Sequence, residues 1–171
     1  MVVRIRGESM SGFIEIQHDE WVPASVDIVR ARYADLHHRE SARVHPRERL
    51  RQREPGPIGP RFECRARAGW WGMGTDLYVR HERPDGSMLD HCVAGPHWGR
   101  AIVAQAWPSN DGARIGTLLE LTLTQPVRPV LGRFLGRWLR ARLEVELRDF
   151  AREIRVDIEL GVEPPRRLRV A

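Results

Sequence analysis

The sequence contains no lysine, so all 28 of its basic residues are arginine. Without a lysine side chain, Schiff-base chemistry, pyridoxal phosphate attachment and a Walker-type phosphate loop are excluded. The sequence also has neither a Gly-x-Ser-x-Gly elbow nor a Gly-x-Gly-x-x-Gly loop. These absences argue against an elbow-type hydrolase and a nucleotide-binding enzyme.

Long apolar segments are absent as well. No run of apolar residues reaches the roughly 18 that a membrane helix needs, and no hydrophobic signal segment follows Met1. The chain has 171 residues, of which 42% are hydrophobic and 30% charged, a composition typical of one globular domain. We therefore expect a soluble, cytoplasmic protein without a membrane span.

The basic residues are not concentrated in one region. The net charge is +5, and the arginines are scattered along the chain, many of them beside acidic residues. This pattern indicates a solvated surface of mixed charge rather than the basic stripe of a nucleic-acid-binding protein. We expect no nucleic-acid partner.

Only two cysteines are present, Cys64 and Cys92. Two cysteines do not make a zinc site or a disulfide framework. The strand pattern places a whole strand between them, a separation of about 9–10 Å, which is too long for a disulfide bond. We expect both to be free, buried thiols.

Most of the chain has the period of two that is typical of strands. The first alternating segment is 13–17, and Ser25 then caps a helix whose apolar side carries Val26, Val29, Tyr33 and Leu36. A short helix or loop is expected over 37–45, and Pro-Gly-rich residues 54–60 predict a rigid turn. Further strands are predicted over 61–68, 75–82, 88–94, 100–107 and 114–124.

The C-terminal part changes to a helical period. A helix is predicted from about residue 131 to 155 or beyond, ending before Gly161. Its apolar stripe, continued toward the N-terminus, reaches Gly136 and Gly132 one and two turns before Leu139. The face therefore carries large side chains in its C-terminal half and no side chains at these two positions in its N-terminal half. Close packing of the backbone and the border of a cavity both explain these glycines. The stripe consists of Leu139, Leu143, Leu147, Phe150 and Ile154.

This element order predicts an α+β fold. A curved antiparallel sheet of about seven strands would grip the long C-terminal helix, with one or two short helices after the first strand. Residues 13–160 would form this single domain, after a loose N-terminal arm over 1–12 and before a basic tail over 161–171. The antiparallel assembly follows from short strands that are joined by turns.

Two local patterns accompany this order, Trp-Val-Pro-Ala-Ser-Val-Asp-Ile-Val over 21–29 and the helical sequence over 131–139 with 144–150. With them, residues 13–158 resemble the START-like helix-grip superfamily, also called SRPBCC. That superfamily includes polyketide cyclases and aromatases, lipid-transfer domains and the catalytic domains of Rieske oxygenases. The resemblance implies an internal cavity for a hydrophobic or polycyclic small molecule.

A second resemblance concerns residues 33–46. Asp35, His38 and His45 are similar to the Asp-x-x-His…His element of Rieske oxygenase catalytic domains, which implies non-haem iron held by both histidines and a carboxylate. Glu146 is the nearest carboxylate in phase on the long helix. The spacing of six residues between the histidines departs from that family, and the cysteine–histidine pairs of a Rieske cluster are missing. A scaffold that kept the histidines without iron or zinc, and a helix cap with a surface histidine pair, are the alternatives.

Two further groups could carry chemistry. His91, Cys92, His97 and Trp98 suggest a cysteine–histidine nucleophile, but His91 and Cys92 are adjacent on a strand and must point to opposite faces. The second group combines aromatic and polar residues on or beside strands, the mixture that lines ligand pockets and also ordinary cores. Its members are Trp70, Trp71, Tyr78, Gln105 and Trp107, with the small Ala66, Ala68, Ala104 and Ala106 nearby.

The leading hypothesis is a cavity protein that promotes cyclisation or dehydration of its ligand in secondary metabolism, as the likeness to polyketide cyclases implies. His38 and His45 would be its acid–base groups, and Arg61 or Arg137 would steady an enolate or carboxylate if either pointed inward. Tyr78 and Gln105 would orient the ligand. The complete predicted set of ligand-binding residues is Trp71, Tyr78, Gln105, Trp107, Gly132, Gly136 and Leu139.

Two other functions remain open at this stage. One is a non-catalytic carrier or sensor of a lipid-like ligand, and the other is a metal enzyme that uses His38, His45 and Glu146. Independently, the helix face with Leu131, Phe134 and Trp138 points away from the glycine stripe. The N-terminal arm or a second copy of the chain, in a homodimer, would cover that face.

Overall fold

The computed structural model of the chain describes residues 12–36, 49–67, 73–110 and 115–161. The arm, the tail, the 37–45 segment with His38 and His45, and both Trp70 and Trp71 therefore lie outside the described residues. Seven strands and two helices follow one another in this order: β1 (Phe13–Val22), α1 (Val26–Ala34), β2 (Arg49–Gly56), β3 (Gly59–Arg67), β4 (Met73–Glu82), β5 (Met88–Ala94), β6 (Ala101–Asn110), β7 (Ile115–Pro126) and α2 (Pro129–Glu159).

The strands form one antiparallel sheet in the order β1-β7-β6-β5-β4-β3-β2. Strands β2 to β7 are a meander, and β1 returns to pair with β7 from Phe13↔Pro126 to Val22↔Thr117. The predicted α+β class, the strand number and the long C-terminal helix are confirmed. Cys64 on β3 and Cys92 on β5 have β4 between them, and both are buried and free, as expected.

Strand β2 was not predicted, and the rigid turn predicted over 54–60 is wrong in extent. Residues 54–56 continue β2, residues 59–60 already belong to β3, and only Pro57 and Ile58 form the turn. Strand β2 is an edge strand whose side chains are mostly exposed, and several of them are charged. Leu50 is its buried residue. Its sequence lacks alternation because backbone pairing with β3, rather than a buried face, holds it in the sheet.

Helix α1 begins as its sequence predicts. Ser25 is the N-cap, and its hydroxyl oxygen accepts a hydrogen bond from the Ile28 N–H at 3.5 Å. Val29 and Tyr33 are fully or almost fully buried, and Leu36 just beyond the helix is buried too. The helix thus lies against the sheet through the side that its periodicity indicated.

Helix α2 supplies most of the core opposite the sheet. Leu143, Leu147, Phe150 and Ile154 of the predicted stripe are buried against apolar side chains of β1 and β7. Each such side chain stabilises the fold by about 1.5–3 kcal/mol through burial. The helix starts at Pro129, earlier than predicted, because a proline at the first helical position loses no hydrogen bond.

The outer face of the N-terminal half of α2 is apolar. Phe134, Leu135 and Trp138 are exposed, which confirms the expected exposure of Phe134 and Trp138. The side chain of Leu131 lies outside the described residues. Coverage of this face by the arm or by a second copy stays a prediction.

Candidate functional site

A cleft that is partly open to solvent lies between the inner face of the sheet and α2; its empty space, counted with the adjoining open solvent, is about 540 Å³. Residues at alternate positions of the strands point into it, and successive turns of the helix close it. Its apolar walls are Phe62, Cys64, Ile102, Leu123, Leu147 and Phe150, and its polar residues are Tyr78, Asp90, Arg100 and Glu146. We refer to this cleft as the main cavity.

Arg100 is the central polar residue of the main cavity and is only 4% exposed. Its Nε donates to Gln125 Oε1 at 2.7 Å, and its Nη1 donates to Glu146 Oε1 at 2.8 Å. Burial alone would lower the pKa of Arg100, but the Glu146 carboxylate and other neighbours raise it on balance, so the cation is retained. Within the described part of the chain no hydrogen bond uses its Nη2, which leaves this donor for a ligand.

Tyr78 stands beside this cation in the wall of the cavity. Its ring stacks on Phe62 with ring centroids 5.3 Å apart and planes 9° from parallel. Burial raises the pKa of Tyr78, which outweighs the opposite effect of Arg100, so the hydroxyl stays protonated. Among the described residues the hydroxyl has no hydrogen-bond partner, and it can therefore donate to a ligand oxygen.

Asp90 faces the cavity, but both of its carboxylate oxygens already accept hydrogen bonds. Both of its oxygens accept hydrogen bonds from Arg80 at 2.6 Å, and the Tyr33 hydroxyl donates to Oδ2 at 3.0 Å. Arg80 also donates through Nη1 to the Tyr33 carbonyl at the end of α1, at 2.9 Å. This buried pair joins α1 to β4 and β5, and its carboxylate is compensated rather than available as a base.

A histidine–carboxylate pair lies next to the cavity, with Asp76 paired in the sheet with the lining residue Cys64. Asp76, which is 2% exposed, holds His97 with Oδ2 2.7 Å from Nδ1 and Oδ1 2.9 Å from the backbone N–H. Burial tends to raise the pKa of Asp76, but the hydrogen bonds from His97 lower it on balance, so the carboxylate is ionised. The sequence analysis grouped His97 with Cys92 and missed Asp76. An acidic residue at an inward position of an alternating strand was the available signal.

Cys92 cannot act as a nucleophile in this setting. It is completely buried, and burial, with Asp76 nearby, raises the pKa of its thiol to about 12. His91 is exposed on the other face of β5, as strand geometry required.

The structure separates several residues that the sequence analysis grouped. Tyr78 lines the main cavity, whereas Gln105 lines a second cleft of about 220 Å³ between α1 and the sheet. Trp107 is 45% exposed. Gln105 and Trp107 alternate with the buried Ala104 and Ala106, so Gln105 borders the second cleft only from beside these two inward-facing alanines.

The predicted arginines do not reach the main cavity. Arg61 donates to the Glu54 carbonyl at 3.0 Å on the outer side of the β2–β3 hairpin, and Arg137 is exposed. Strand alternation explains the first result, because Phe62 points inward and its neighbour Arg61 must point outward. Arg100 occupies the position that these arginines were expected to fill.

The glycine end of α2 is open. Among the described residues, no atom outside the neighbouring backbone of the helix lies within 4 Å of the position that a Cβ at Gly136 would take, so none of them packs closely there. Leu139 is partly buried at the edge of the core, and Gly132 lies in the first turns of the helix. In the described residues, the main cavity instead contacts the next part of the helix, at Glu146, Leu147 and Phe150.

The metal hypothesis is not tested at its two histidines, which lie outside the described residues. Glu146, its third predicted ligand, faces the main cavity, but its Oε1 is paired with Arg100. Among the described residues, no group of three or more His, Cys, Asp or Glu is arranged to hold a metal ion.

A membrane crossing requires a helix that is both long and apolar. Neither helix in the described ranges combines these two properties.

Comparison with known proteins identifies the fold. No protein-family model and no curated protein sequence matches the chain. Among solved structures, it is similar to TTHA0849 from Thermus thermophilus, with a TM-score of 0.72 and 13% identity over 88% of this chain and 100% of the other.

Two more solved structures agree with this result. The Zhui aromatase/cyclase from a Streptomyces species has a TM-score of 0.69 and 15% identity, over 88% of this chain and 96% of its own. A START superfamily protein from Mycobacterium smegmatis has a TM-score of 0.69 and 14% identity, over 86% and 98%. The chain has the START-like helix-grip fold.

Proposed function

We propose that the protein binds a flat, largely apolar small molecule that carries at least one carbonyl, enolate or phenolate oxygen in the main cavity. The observation that carries the proposal is the pair of unused donors, Arg100 Nη2 and the Tyr78 hydroxyl, inside an apolar cleft. A pocket with apolar walls and a few placed donors binds ligands of this chemistry. The likeness to a structure described as an aromatase/cyclase supports the same ligand class.

We further propose that binding promotes cyclisation or dehydration of this ligand. A confined cavity holds a flexible chain in a reactive conformation, which lowers the entropic part of the barrier. Arg100 and Tyr78 would pair with the oxygen that becomes negative when a proton leaves the adjacent carbon. His38 and His45 stay predictions as acid–base groups of this reaction and do not exclude a further acid–base residue.

The first experiment tests the oxygen-binding role of Arg100. Binding of 2-naphthol and of naphthalene is compared for the wild-type protein and for Arg100→Met. Loss of a charge-assisted hydrogen bond costs about 1.5–3 kcal/mol, so 2-naphthol should bind about tenfold to a hundredfold more weakly to the variant. Naphthalene, which has no oxygen, should bind equally to both.

The matched control is Arg148→Gln, a substitution of an exposed arginine on α2, which should leave both affinities unchanged. Equal weakening of both probes by Arg100→Met would indicate loss of cavity shape instead of a lost contact. Failure of both probes to bind the wild-type protein would contradict the proposed function.

A non-catalytic carrier is the second candidate function. One observation favours it: both carboxylates that line the main cavity, Asp90 and Glu146, are already paired with arginines. Binding through Arg100 and Tyr78 needs no titrating group. Substitution of His38 and His45 by alanine separates the two functions, because a carrier keeps full activity whereas an enzyme retains binding and loses turnover.

A further inference from the structure

We propose that His97, oriented by Asp76, is a general base that removes a proton from the ligand at the end of the main cavity. This inference rests on the proposed function and assigns one of its chemical steps. The sequence analysis considered His97 only as the partner of a cysteine.

The hydrogen bonds of the pair fix the state of the imidazole. An ionised carboxylate can only accept hydrogen bonds, so the 2.7 Å contact between Asp76 Oδ2 and His97 Nδ1 places a proton on Nδ1. In the neutral ring, Nε2 then carries the free lone pair. This is the tautomer that a general base requires, and the side chain is 21% exposed, which leaves it accessible.

The position of the pair links it to the main cavity. Asp76 lies directly opposite Cys64 in the β3–β4 register and two residues before Tyr78, and both neighbours line the cavity. On the other side of the pair, the Arg100 backbone N–H donates to the His97 carbonyl at 2.9 Å. His97 is therefore hydrogen-bonded to Asp76 and to the backbone of Arg100, next to residues that line the cavity.

The turn that carries His97 is built to hold it still. Gly95 has a φ of +117°, and a Cβ there would lie 2.5 Å from Asp76 Oδ1 and from the Thr75 carbonyl oxygen. Gly99 has a φ of +80°, and its N–H donates to the Cys92 carbonyl at 2.9 Å. A base on such a fixed turn is already oriented before the ligand arrives.

The proton transfer balances without an added reagent. His97 Nε2 takes the proton from a carbon next to a ligand carbonyl, and the C–H electron pair moves to the carbonyl oxygen as an enolate. Arg100 and Tyr78 pair with that oxygen. The enolate carbon forms a bond to a second carbonyl carbon of the same molecule, whose oxygen then takes the proton back from His97.

The test uses 5-nitrobenzisoxazole, a flat bicyclic probe whose isoxazole ring opens when a base removes the C–H proton of that ring. The C–H electron pair forms a nitrile, the N–O bond breaks, and its electron pair stays on the oxygen as the coloured phenolate of the same molecule. We expect the wild-type protein to accelerate this elimination. His97→Asn should lower kcat at least about tenfold, because its amide keeps the donor to Asp76 but lacks the base.

Two further variants separate catalysis from structure. Asp76→Asn should lower kcat with little change in KM, because it disturbs the orientation of the imidazole but not the cavity. His91→Gln, on the exposed face of β5, is the matched control and should change neither. Circular dichroism and the affinity for 2-naphthol establish that each variant is folded with an intact cavity, and Asp76→Asn provides the test if His97→Asn does not fold.

The outcomes are distinguishable. If 2-naphthol and the elimination probe compete for the wild-type protein but His97→Asn retains the wild-type rate and pH profile, the role of His97 is refuted while the proposed function stands. If neither probe binds the wild-type protein, the proposed function itself fails. Loss of turnover with retained naphthol affinity supports both.

Discussion

At the scale of single residues, burial sets the chemistry of Cys92 and gives stability a pH dependence. The thiol ionises near pH 9.0 when unperturbed, but burial raises its pKa to about 12 in the folded protein. The unfolded chain therefore releases this proton first as the pH rises. The contribution is fully present below about pH 9 and is lost progressively between about pH 9 and 12.

We expect the free energy of unfolding to fall between pH 8 and pH 10, with about 1 kcal/mol of the loss due to Cys92. Urea denaturation at the two pH values measures it, and Cys92→Ala should show a smaller loss. Some loss should persist in that variant, because burial also raises the pKa of Tyr78. An identical loss in both proteins would contradict the assignment.

At the scale of elements, two glycines with opposite surroundings make a matched pair. Gly136 lies inside α2, where no described residue outside the neighbouring helical backbone comes within 4 Å of the place that a side-chain Cβ would take, whereas Gly95 has a positive φ and close contacts. Gly136→Ala should stabilise the protein by about 0.5–1 kcal/mol, because alanine is the better helix former. Gly95→Ala should destabilise it by at least about 1 kcal/mol through backbone strain.

Urea unfolding of the two variants checks both signs under one set of conditions. A destabilising effect of Gly136→Ala would mean that another surface packs against this part of the helix in solution. That result would also bear on the exposed apolar face with Phe134, Leu135 and Trp138, which lies on the same half of α2.

At the scale of the whole molecule, a cavity open to solvent and lined by apolar walls predicts retention of an apolar compound during purification. Native mass spectrometry should show the protein with an added small organic mass, which is released on denaturation. Metal analysis of the same sample examines the His38, His45 and Glu146 hypothesis. Stoichiometric iron or zinc would favour the metal enzyme. A protein that retains neither an organic compound nor a metal ion would argue against both a tight carrier and a stable metal site.

The sequence by itself determined the class of fold, because its information was local and periodic. Alternation located β3 to β7, Ser25 marked the start of α1, and the stripe from Leu143 to Ile154 identified the buried face of α2. Adjacent strand residues such as His91 and Cys92 were assigned to opposite faces for the same reason. The edge strand β2 was not predicted, because most of its side chains are exposed and its sequence therefore does not alternate between apolar and polar residues.

Only the tertiary structure decided the composition of the site. Arg100 and Glu146 are 46 residues apart, and Asp76 and His97 are 21 apart, so no local period connects them. The sequence did not distinguish which arginine faces the cavity. In the structure Arg100 is buried, paired and directed into the cavity, whereas Arg61 and Arg137 are not. Periodicity specifies which face of an element is buried, but contacts between distant elements depend on register and curvature, which exist only in the assembled sheet.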